Sequence, residues 1–244
     1  HYIMVLGGKM EEIKIPTHVA IILDGNRRWA KSHMLPKLEG HRRGFSNIKK
    51  RANYIFKKGV KYLSVYCFST ENFKREASEV DYLMNLFVKE FKSACQELND
   101  NNIKVVFSGR KEPLRDDVLN AMDYLRKETK NNTGGILNIC LNYGGQSEIV
   151  DATKSILTDI ESGKIGKEDI NTALFTKYLY QDLPPVDLMI RTGGDVRVSN
   201  FLLWQIAYAE MYFPDCFWPD FDDKEFDKAI LAYNGRERRF GGGK

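Results

Sequence analysis

The sequence has few cysteines and no long apolar run, and each absence excludes a class of protein. Its four cysteines include no Cys-x-x-Cys pair, which excludes a dense disulfide framework and favours a reducing cytoplasm. They are Cys67, Cys95, Cys140 and Cys216. Because no stretch reaches the roughly 18 apolar residues that a spanning helix needs, no membrane-spanning segment is predicted.

Signatures of several enzyme and binding classes are also missing. The sequence has no Gly-x-x-x-x-Gly-Lys-Ser/Thr loop, no Gly-x-Gly-x-x-Gly fingerprint and no Gly-x-Ser-x-Gly elbow, which counts against a nucleotide enzyme or an α/β phosphatase. Only four histidines occur, so no zinc site is expected. With 37 Lys and Arg against 33 Asp and Glu, the net charge of +4 is too small to indicate a nucleic-acid partner.

What is present indicates an ordinary globular domain of 244 residues, 43% of them hydrophobic. We expect residues 1–10 to be an expression remnant or a disordered N-terminus, and residues 11–244 to form a single domain. Apolar runs typical of buried strands alternate with helical patterns, which predicts an α/β fold with a mostly parallel central sheet covered by helices. The predicted strands are His18–Leu23, Tyr62–Phe68, Ile103–Phe107, Ile136–Asn142 and Val186–Ile190. The predicted helices cover about 40–58, 78–98, 112–130, 146–162 and 168–180.

The clearest helical pattern begins at Ser78, with Asp81 three residues later as a capping-box partner. Its apolar residues recur at intervals of three and four and form one stripe about five turns long. They are Val80, Leu83, Met84, Phe87, Val88, Phe91, Ala94, Cys95 and Leu98. Such a stripe either packs into the core or lines an elongated apolar cavity, and periodicity does not separate the two.

The ends of the predicted strands carry the polar residues of interest. In an open α/β sheet, ligands bind beyond the carboxyl ends of the strands. The first strand ends in Asp24-Gly25-Asn26-Arg27-Arg28 before a segment that looks helical, a pattern that suits Mg²⁺ and a diphosphate. A simple turn with a helix cap is the alternative.

A second basic cluster, Gly40–Gly44, contains His41, Arg42 and Arg43 at the predicted start of a helix. Cations there oppose the helix dipole, which indicates a nearby anion unless the segment is a solvated loop. His41 also has a near-neutral pKa that suits proton handling.

Three further strand exits are polar. Phe68–Arg75 carries Ser69, Asn72 and Arg75, which either bind substrate or form a capped surface turn. The glycines of Asn142–Ser147 serve mainly the turn into the next helix. Arg191–Asn200 holds two arginines six residues apart with a glycine pair and Ser199, the parts of a phosphate clamp, although an inert loop has a similar composition. Because four exits deliver such groups to one edge, we predict a shared site.

Six stretches, in this order along the chain, resemble the cis-prenyltransferase family and within it the undecaprenyl diphosphate synthases. They are His18–Ala30, Gly40–Gly44, Phe68–Arg75, Asn142–Gly145, Asp187–Phe213 and Arg236–Gly242. The likeness covers nearly the whole chain from about residue 16, and its most specific part is Arg191–Gly194 followed by Ser199–Gln205.

The resemblance implies a Mg²⁺-dependent, homodimeric transferase that adds isopentenyl diphosphate repeatedly, with Z geometry, to an allylic diphosphate such as farnesyl diphosphate. Its product would be undecaprenyl diphosphate or another polyprenyl diphosphate, the carrier lipid for cell-wall polysaccharide. The hydrocarbon would occupy an elongated apolar tunnel walled by the helical stripe and by Cys67. The enzyme would be cytoplasmic and peripheral to the inner face of the membrane, with transient surface contact for product release.

The resemblance also implies roles for individual residues. Asp24 would organise Mg²⁺ and the allylic diphosphate, and Glu210 would help to place metal. Binding of the allylic diphosphate would fall to Gly25, Asn26, Arg27, Arg28, Lys37 and His41. Isopentenyl diphosphate would be held by Arg191, Arg197 and Ser199. The residues that would position the reacting carbons or assist proton removal are Trp29, Phe68, Ser69, Thr70, Glu71, Asn72, Phe73 and Arg75.

Departures from the family pattern leave alternatives. Arg27 stands where bacterial members often have Gly, as in a dehydrodolichyl-type synthase, and Asp195 and Val196 weaken a metal assignment there. A non-catalytic partner subunit is a third interpretation, although such a subunit has no chemical need for Asp24 and its partners. The ending Arg236–Gly242 favours the homodimeric bacterial type, in which Arg238 and Gly241 would reach toward a partner's site.

Overall fold

The computed structural model describes residues 2–6 and 9–235, with side chains from residue 13 onward. Its strands are β1 Tyr2–Leu6, β2 Lys9–Ile13, β3 His18–Ile22, β4 Tyr62–Ser69, β5 Ile103–Ser108, β6 Gly135–Tyr143, β7 Leu188–Arg191 and β8 Glu210–Tyr212. Its α-helices are α1 Asn26–Ser32, α2 Lys37–Lys57, α3 Ala77–Asp100, α4 Asp116–Glu128, α5 Gly145–Glu161, α6 Thr172–Lys177 and α7 Asp223–Asn234. Short 3-10 helices cover Thr70–Lys74, Lys167–Asp169 and Trp218–Asp220.

The central sheet has six strands in the order β5-β6-β4-β3-β7-β8, and every pairing is parallel. This confirms the predicted α/β class. The chain runs outward from β3 through β4 to β5 and later returns to the other side of β3 with β7. A crevice therefore opens at the carboxyl ends of β3, β4 and β7, where the direction of winding reverses.

Strand β3 lies at the centre, and all five of its residues are buried. Val19 and Ile21 belong to the larger apolar cluster under α2, α3, α4 and α7, whereas Ala20 packs into a smaller cluster on the opposite face. A strand covered on both faces reads as an unbroken apolar run, which is why the sequence predicts it well.

Helix α3 buries the predicted apolar stripe. Most of its stripe residues are buried, and Val80 and Val88 pack partly buried against the same cluster. The expected capping box at Ser78 is not formed, because α3 begins at Ala77 with Glu76 at its N-cap and no side-chain cap. The stripe is packed as core, and it borders a small cavity of about 40 Å³ and, through Leu83, a larger one of about 570 Å³.

Several boundaries differ from the predictions. The helix expected over about 168–180 is reduced to α6, because Asn171 caps a start at Thr172 by accepting from the Leu174 amide, 2.9 Å away. Strand β8 has only three residues, too few for a pattern, and α7 was not predicted although Asp222 caps it. Asp116 and Asp223 lie in the first turns of α4 and α7.

The antiparallel pair β1–β2 lies within and just after residues 1–10. The expectation that residues 1–10 are an expression remnant or a disordered N-terminus stays a prediction. Residues 236–244, which include Arg238 and Gly241, lie outside the described residues. In the part of the chain that the structure describes, no helix has the length and apolar character to cross a bilayer.

Candidate active site

Hydrogen bonds to its backbone fix Asp24 just beyond the end of β3. Its carbonyl oxygen accepts hydrogen bonds from Thr192 Oγ1 at 2.7 Å and from the Trp218 amide at 2.9 Å. The next residue, Gly25, has φ of 105°, and a Cβ there would lie 2.6 Å from Phe217 Cδ1. Only glycine fits both constraints, so the turn that presents the Asp24 carboxylate requires it.

The Asp24 carboxylate lies between two arginines from different elements. Arg191 Nη2 donates to Asp24 Oδ2 at 2.8 Å, and Arg28 Nη2 lies 3.1 Å from Asp24 Oδ1. Arg191 ends β7 and pairs in register with Ile22, which places the two groups side by side. Asp24 keeps 28% of its side chain exposed, so it is accessible to a ligand from the cleft.

Arg191 is almost completely buried and holds the clamp loop, defined as residues 192–200. Its Nη1 donates to the Arg197 carbonyl and to Ser199 Oγ, each at 2.7 Å. Its Nε has no partner within the described chain. A buried guanidinium donor left free is uncommon, and it matches an oxygen of a bound anion.

A second acid, Asp195, links the remaining cations. Arg197 Nη2 donates to Asp195 Oδ2 at 3.0 Å and Arg28 Nη2 donates to it at 3.3 Å. Burial raises the pKa of Asp195, but the hydrogen bond from Arg197 and the arginine charges lower it below its usual value. We call Asp24, Arg28, Arg191, Asp195, Arg197 and Ser199 the Asp24 cluster. Within it the two acids bridge the arginines and fix their positions.

The clamp loop ends in strained backbone. Ser199, Asn200 and Leu202 have φ of 45°, 63° and 43°, in the left-handed region that non-glycine residues avoid. Asn200 anchors the turn, because its Oδ1 accepts from the Gln146 amide at 2.8 Å. The exit of β6, predicted to be only a turn, therefore also supports the site. Strain of this kind concentrates where function fixes a loop.

A different carboxylate, Glu79 on α3, organises the other side of the cleft. His41 Nε2 donates to Glu79 Oε1 at 3.0 Å, Arg75 Nη1 lies 3.3 Å from that oxygen, and Lys37 Nζ lies 3.3 Å from Oε2. Glu79 is only 1% exposed. We call Lys37, His41, Arg75 and Glu79 the Glu79 cluster. The sequence did not point to Glu79, because this residue lies among the apolar stripe residues of α3 and belongs to no recognisable motif.

The pKa directions in the Glu79 cluster follow from burial and charge. Burial lowers the pKa of His41 below its ordinary value, although the hydrogen bond to Glu79 acts in the opposite sense. Burial raises the pKa of Glu79, but the His41 hydrogen bond and the charges of Arg75 and Arg27 outweigh it and lower that pKa. At neutral pH this describes a neutral imidazole donating to an ionised carboxylate.

Arg42 and Arg43 do not serve the cleft in the way predicted. Helix α2 begins at Lys37, so these residues lie in its second turn rather than at its start. Both pair with Glu39, Arg42 through Nε at 2.7 Å and Arg43 through Nε at 3.2 Å. Glu39, in the first turn of α2, therefore offsets the unfavourable interaction of Arg42 and Arg43 with the helix dipole, and no bound anion is needed for this.

The turn after β4 is a reciprocal cap. Asn72 Oδ1 accepts from the Ser69 amide at 3.1 Å, and the Ser69 side chain accepts from the Asn72 amide. The predicted capped turn is therefore formed, and Ser69 and Asn72 also line the cleft. Glu71 lines it as well and accepts from Asn200 Nδ2 at 3.3 Å.

The cleft consists of two adjoining hollows of about 560 and 570 Å³. Both are lined by Leu23, Asp24, Asn26, His41 and Arg75. The first adds Gly25, Arg27, Arg28, Lys31 and Lys37. The second adds Ile22, Tyr66, Cys67, Ser69, Glu71, Asn72, Leu83, Arg191, Arg197, Ser199 and Asn200. Most predicted site residues therefore meet around Asp24.

Five predicted residues lie elsewhere. Trp29 is buried with its indole donating to Asp220 Oδ1 at 2.7 Å and its ring stacked on His33. Phe68 and Phe73 contact each other edge to face in the apolar core, and Thr70 lies beside Gly144.

Glu210, the fifth, pairs with Leu188, three residues before Arg191, so it stands roughly 10 Å below the edge that carries Asp24. The chain by itself does not bring Asp24 and Glu210 together. No group of three or more acidic, histidine or cysteine side chains in the described part of the chain is placed to hold a metal ion.

The small apolar cavity begins where the two hollows meet. It is lined by Leu23, Asn26 and His41 at one end and by Phe45, Ile48, Cys67, Leu83, Leu86 and Phe87 beyond. Cys67 faces it from a register irregularity in β4, between Tyr66 and Phe68. Burial raises the pKa of the Cys67 thiol to about 12, which makes it an inert apolar wall residue rather than a nucleophile.

Comparison with known proteins gives a consistent result. Residues 22–241 match the family model described as putative undecaprenyl diphosphate synthase. An isoprenyl transferase of Fusobacterium nucleatum is 51% identical over 231 residues, covering 95% of this chain and 98% of that protein. A ditrans,polycis-undecaprenyl-diphosphate synthase, described as specific for (2E,6E)-farnesyl diphosphate, from Legionella pneumophila is 42% identical over 93% of this chain and 96% of its own length.

Solved structures agree with the sequence relatives. A lavandulyl diphosphate synthase from Lavandula x intermedia, in complex with dimethylallyl diphosphate, superposes with a TM-score of 0.89 at 35% identity, covering 93% of this chain and 98% of that one. A probable undecaprenyl diphosphate synthase from Campylobacter jejuni gives 0.77 at 30% identity, covering 95% and 100%.

Proposed function

The chain belongs to the undecaprenyl diphosphate synthase family of prenyltransferases, and from this premise we propose how its site performs the reaction. It condenses isopentenyl diphosphate repeatedly onto farnesyl diphosphate, with Z geometry, to make undecaprenyl diphosphate. The observation that carries the proposal is the pair of cationic hollows that meet at Asp24, with an apolar cavity leading away from their junction.

The two hollows suit two diphosphate groups. The first, with Arg27, Arg28 and Lys37, would take the allylic diphosphate. The second, with Arg191, Arg197 and Ser199, would take isopentenyl diphosphate, and the free Arg191 Nε would donate to a phosphate oxygen. Arginine suits this role because its planar fork matches phosphate oxygens and keeps its charge at all physiological pH values.

The chemistry requires negative charge to be stabilised. The bond between C1 of the allylic substrate and its diphosphate oxygen breaks, the double bond of isopentenyl diphosphate forms a new bond to C1, and a proton leaves C2 of the added unit. Diphosphate and a proton are thus the released products. Arg28, fixed by Asp24 and Asp195, would stabilise the departing allylic diphosphate without having to move, because its charge is already in place when the bond breaks.

The residues present fit a bound Mg²⁺. This ion is commonly held by one or two carboxylates together with substrate phosphates, and Asp24 is the carboxylate exposed at the junction of the hollows. Mg²⁺ bound there would neutralise the charge of the leaving diphosphate. Burial keeps His41 neutral. Its hydrogen bond to Glu79 would fix the orientation of the imidazole ring beside the cleft.

The growing hydrocarbon would extend between α2 and α3. A cavity of about 40 Å³ is far too small for a polyprenyl chain, so the stripe must open when a chain enters. Replacing Leu83 by Ala is expected to lengthen the product and replacing it by Trp to shorten it, as sized by chromatography of the extracted lipid. An unchanged product length in both variants would contradict the assignment of this cavity.

The test of the function uses purified protein with farnesyl diphosphate and labelled isopentenyl diphosphate, with Mg²⁺ or EDTA, beside Asp24→Ala. We expect a Mg²⁺-dependent, butanol-soluble product that the variant does not make. Absence of product from folded protein with several allylic primers would favour the non-catalytic subunit, and a longer product would favour the dehydrodolichyl type. Light scattering tests the proposed homodimer, which a monomer at working concentration would contradict.

A further inference from the structure

The loop between α1 and α2 exposes apolar side chains at the rim of the cleft. Met34 is 95% exposed and Leu35 is 39% exposed. The residues on either side of this loop, Lys31 and Lys37, both line the first hollow. We call Met34 and Leu35 the apolar tip. It therefore stands at the mouth through which the proposed substrates and product pass.

Nothing within the described chain accounts for a methionine at this position. Met34 has φ of 54°, a conformation that a residue with a Cβ rarely adopts. Its side chain is in solvent rather than in the core, so burial does not compensate for the strained backbone. The loop is nevertheless fixed, because the Met34 amide donates to the Lys31 carbonyl at 3.1 Å and the Leu35 amide to the Ala30 carbonyl at 2.9 Å. An ordered loop thus presents an apolar side chain outward.

Basic residues are frequent around the same tip. Residues 26–43 contain six arginines and lysines against one acid, Glu39. Arg28 and Lys37 are paired with acids outside this segment, Asp24 and Glu79. Arg27, Lys31 and Arg42 are exposed there. An apolar tip surrounded by cations is the combination that recognises an anionic lipid surface.

We propose that the apolar tip docks on an anionic phospholipid bilayer, with Met34 entering the headgroup region and the surrounding cations facing lipid phosphates. The inference deepens the proposed function, since a polyprenyl product belongs in a bilayer. Docking in this orientation turns the mouth of the cleft toward the membrane. A second copy of the chain is a poorer occupant, because the exposed cations of two such segments would face each other across the contact.

Vesicle sedimentation of the full chain tests the proposal. Vesicles of phosphatidylcholine with about one third phosphatidylglycerol supply the anionic surface, and pure phosphatidylcholine vesicles supply the neutral control. Met34→Gly removes the side chain and relieves the positive φ, so it is expected to fold at least as well. We expect Met34→Gly to weaken binding about tenfold and Met34→Trp to strengthen it.

The matched control is Ile170→Ser, which removes another exposed apolar side chain, 47% exposed, from a different loop. It is expected to leave vesicle binding unchanged. Turnover of all variants on soluble substrates without vesicles should equal that of the unmodified protein, which separates this test from that of the catalytic proposal. The proposal is overturned if the unmodified protein ignores anionic vesicles, if Met34→Gly binds equally well, or if Met34→Gly abolishes self-association instead.

Discussion

The Asp24 and Glu79 clusters face one cleft and use the same residue types in opposite ways. In the first, an acid that is 28% exposed lies between Arg191 and Arg28. In the second, an acid that is 1% exposed receives His41, Arg75 and Lys37. Burial is the difference. An accessible carboxylate is free to meet a metal or substrate, whereas a buried one with three cationic or hydrogen-bonding partners serves to fix their positions.

The contrast extends to titration. The Glu79 cluster contains His41, whose pKa burial lowers from its ordinary value near neutrality. The Asp24 cluster contains aspartates, arginines and a serine, and no histidine. A pH change near neutrality therefore acts on the Glu79 cluster through His41.

The largest effect is expected from Arg191→Lys. Lysine cannot reproduce the donations from one guanidinium to Asp24, Ser199 and the Arg197 carbonyl. We expect kcat/KM for isopentenyl diphosphate to fall about 10²- to 10³-fold, measured by labelled product formation. Arg197→Lys, at an exposed arginine, is the matched control and should lose less. Equal losses in the two variants would show that burial does not distinguish these arginines.

Glu79→Gln should have the next largest effect, and mainly on the folded state. The change keeps the shape but leaves Lys37 and Arg75 without their buried counter-charge. We expect the free energy of unfolding to fall by about 3 kcal/mol, measured by urea denaturation. The Mg²⁺ dependence of turnover should be retained, in contrast to Asp24→Ala. A stable Glu79→Gln enzyme that needs more Mg²⁺ would make Glu79 part of the metal site instead.

The pH dependence of stability gives a smaller, directional test. Because the pKa of His41 is lower in the folded protein than the unfolded value of about 6.5, the unfolded chain binds more protons as pH falls below that value. The stabilisation from a neutral His41 is thus complete above about pH 6.5 and is lost as pH falls toward the folded pKa. His18 titrates in the same direction, with its pKa lowered to about 4. Between pH 7 and 5, His41→Gln should show a shallower loss than the unmodified protein; an equal slope would exclude a contribution from His41.

The smallest effect is expected from Arg42→Gln. Its partner Glu39 lies in the first turn of α2, and the pair is exposed to solvent. The free energy of unfolding should hardly change, and KM for either substrate should not change. This variant separates cations that line the cleft from cations that only neutralise a helix end. A clear rise in KM would restore Arg42 to the anion site that the sequence pattern predicted.

The sequence predicts much of the fold because its signals are local. The unbroken apolar run of β3 reflects burial on both faces of the strand. The stripe from Val80 to Leu98 reflects burial of one face of α3. Strand β8 escaped prediction because three residues carry no period, and its pairing with β7 is decided by the sheet. Arg42 was predicted at a helix start, but α2 begins at Lys37, about one helical turn before the predicted start near residue 40.

The sequence by itself determined the fold class, the polar strand exits and the residues that carry the family likeness, since each is written in adjacent residues. Only the tertiary structure decided which of these groups meet. The register of β3 and β7 places Asp24 beside Arg191. Glu79 lies at the centre of its cluster, where it accepts from His41. Trp29 and Phe68 are buried rather than exposed to the cleft. The physical reason is that distance across a sheet and burial are properties of packing, and neither is recorded in the spacing of residues along the chain.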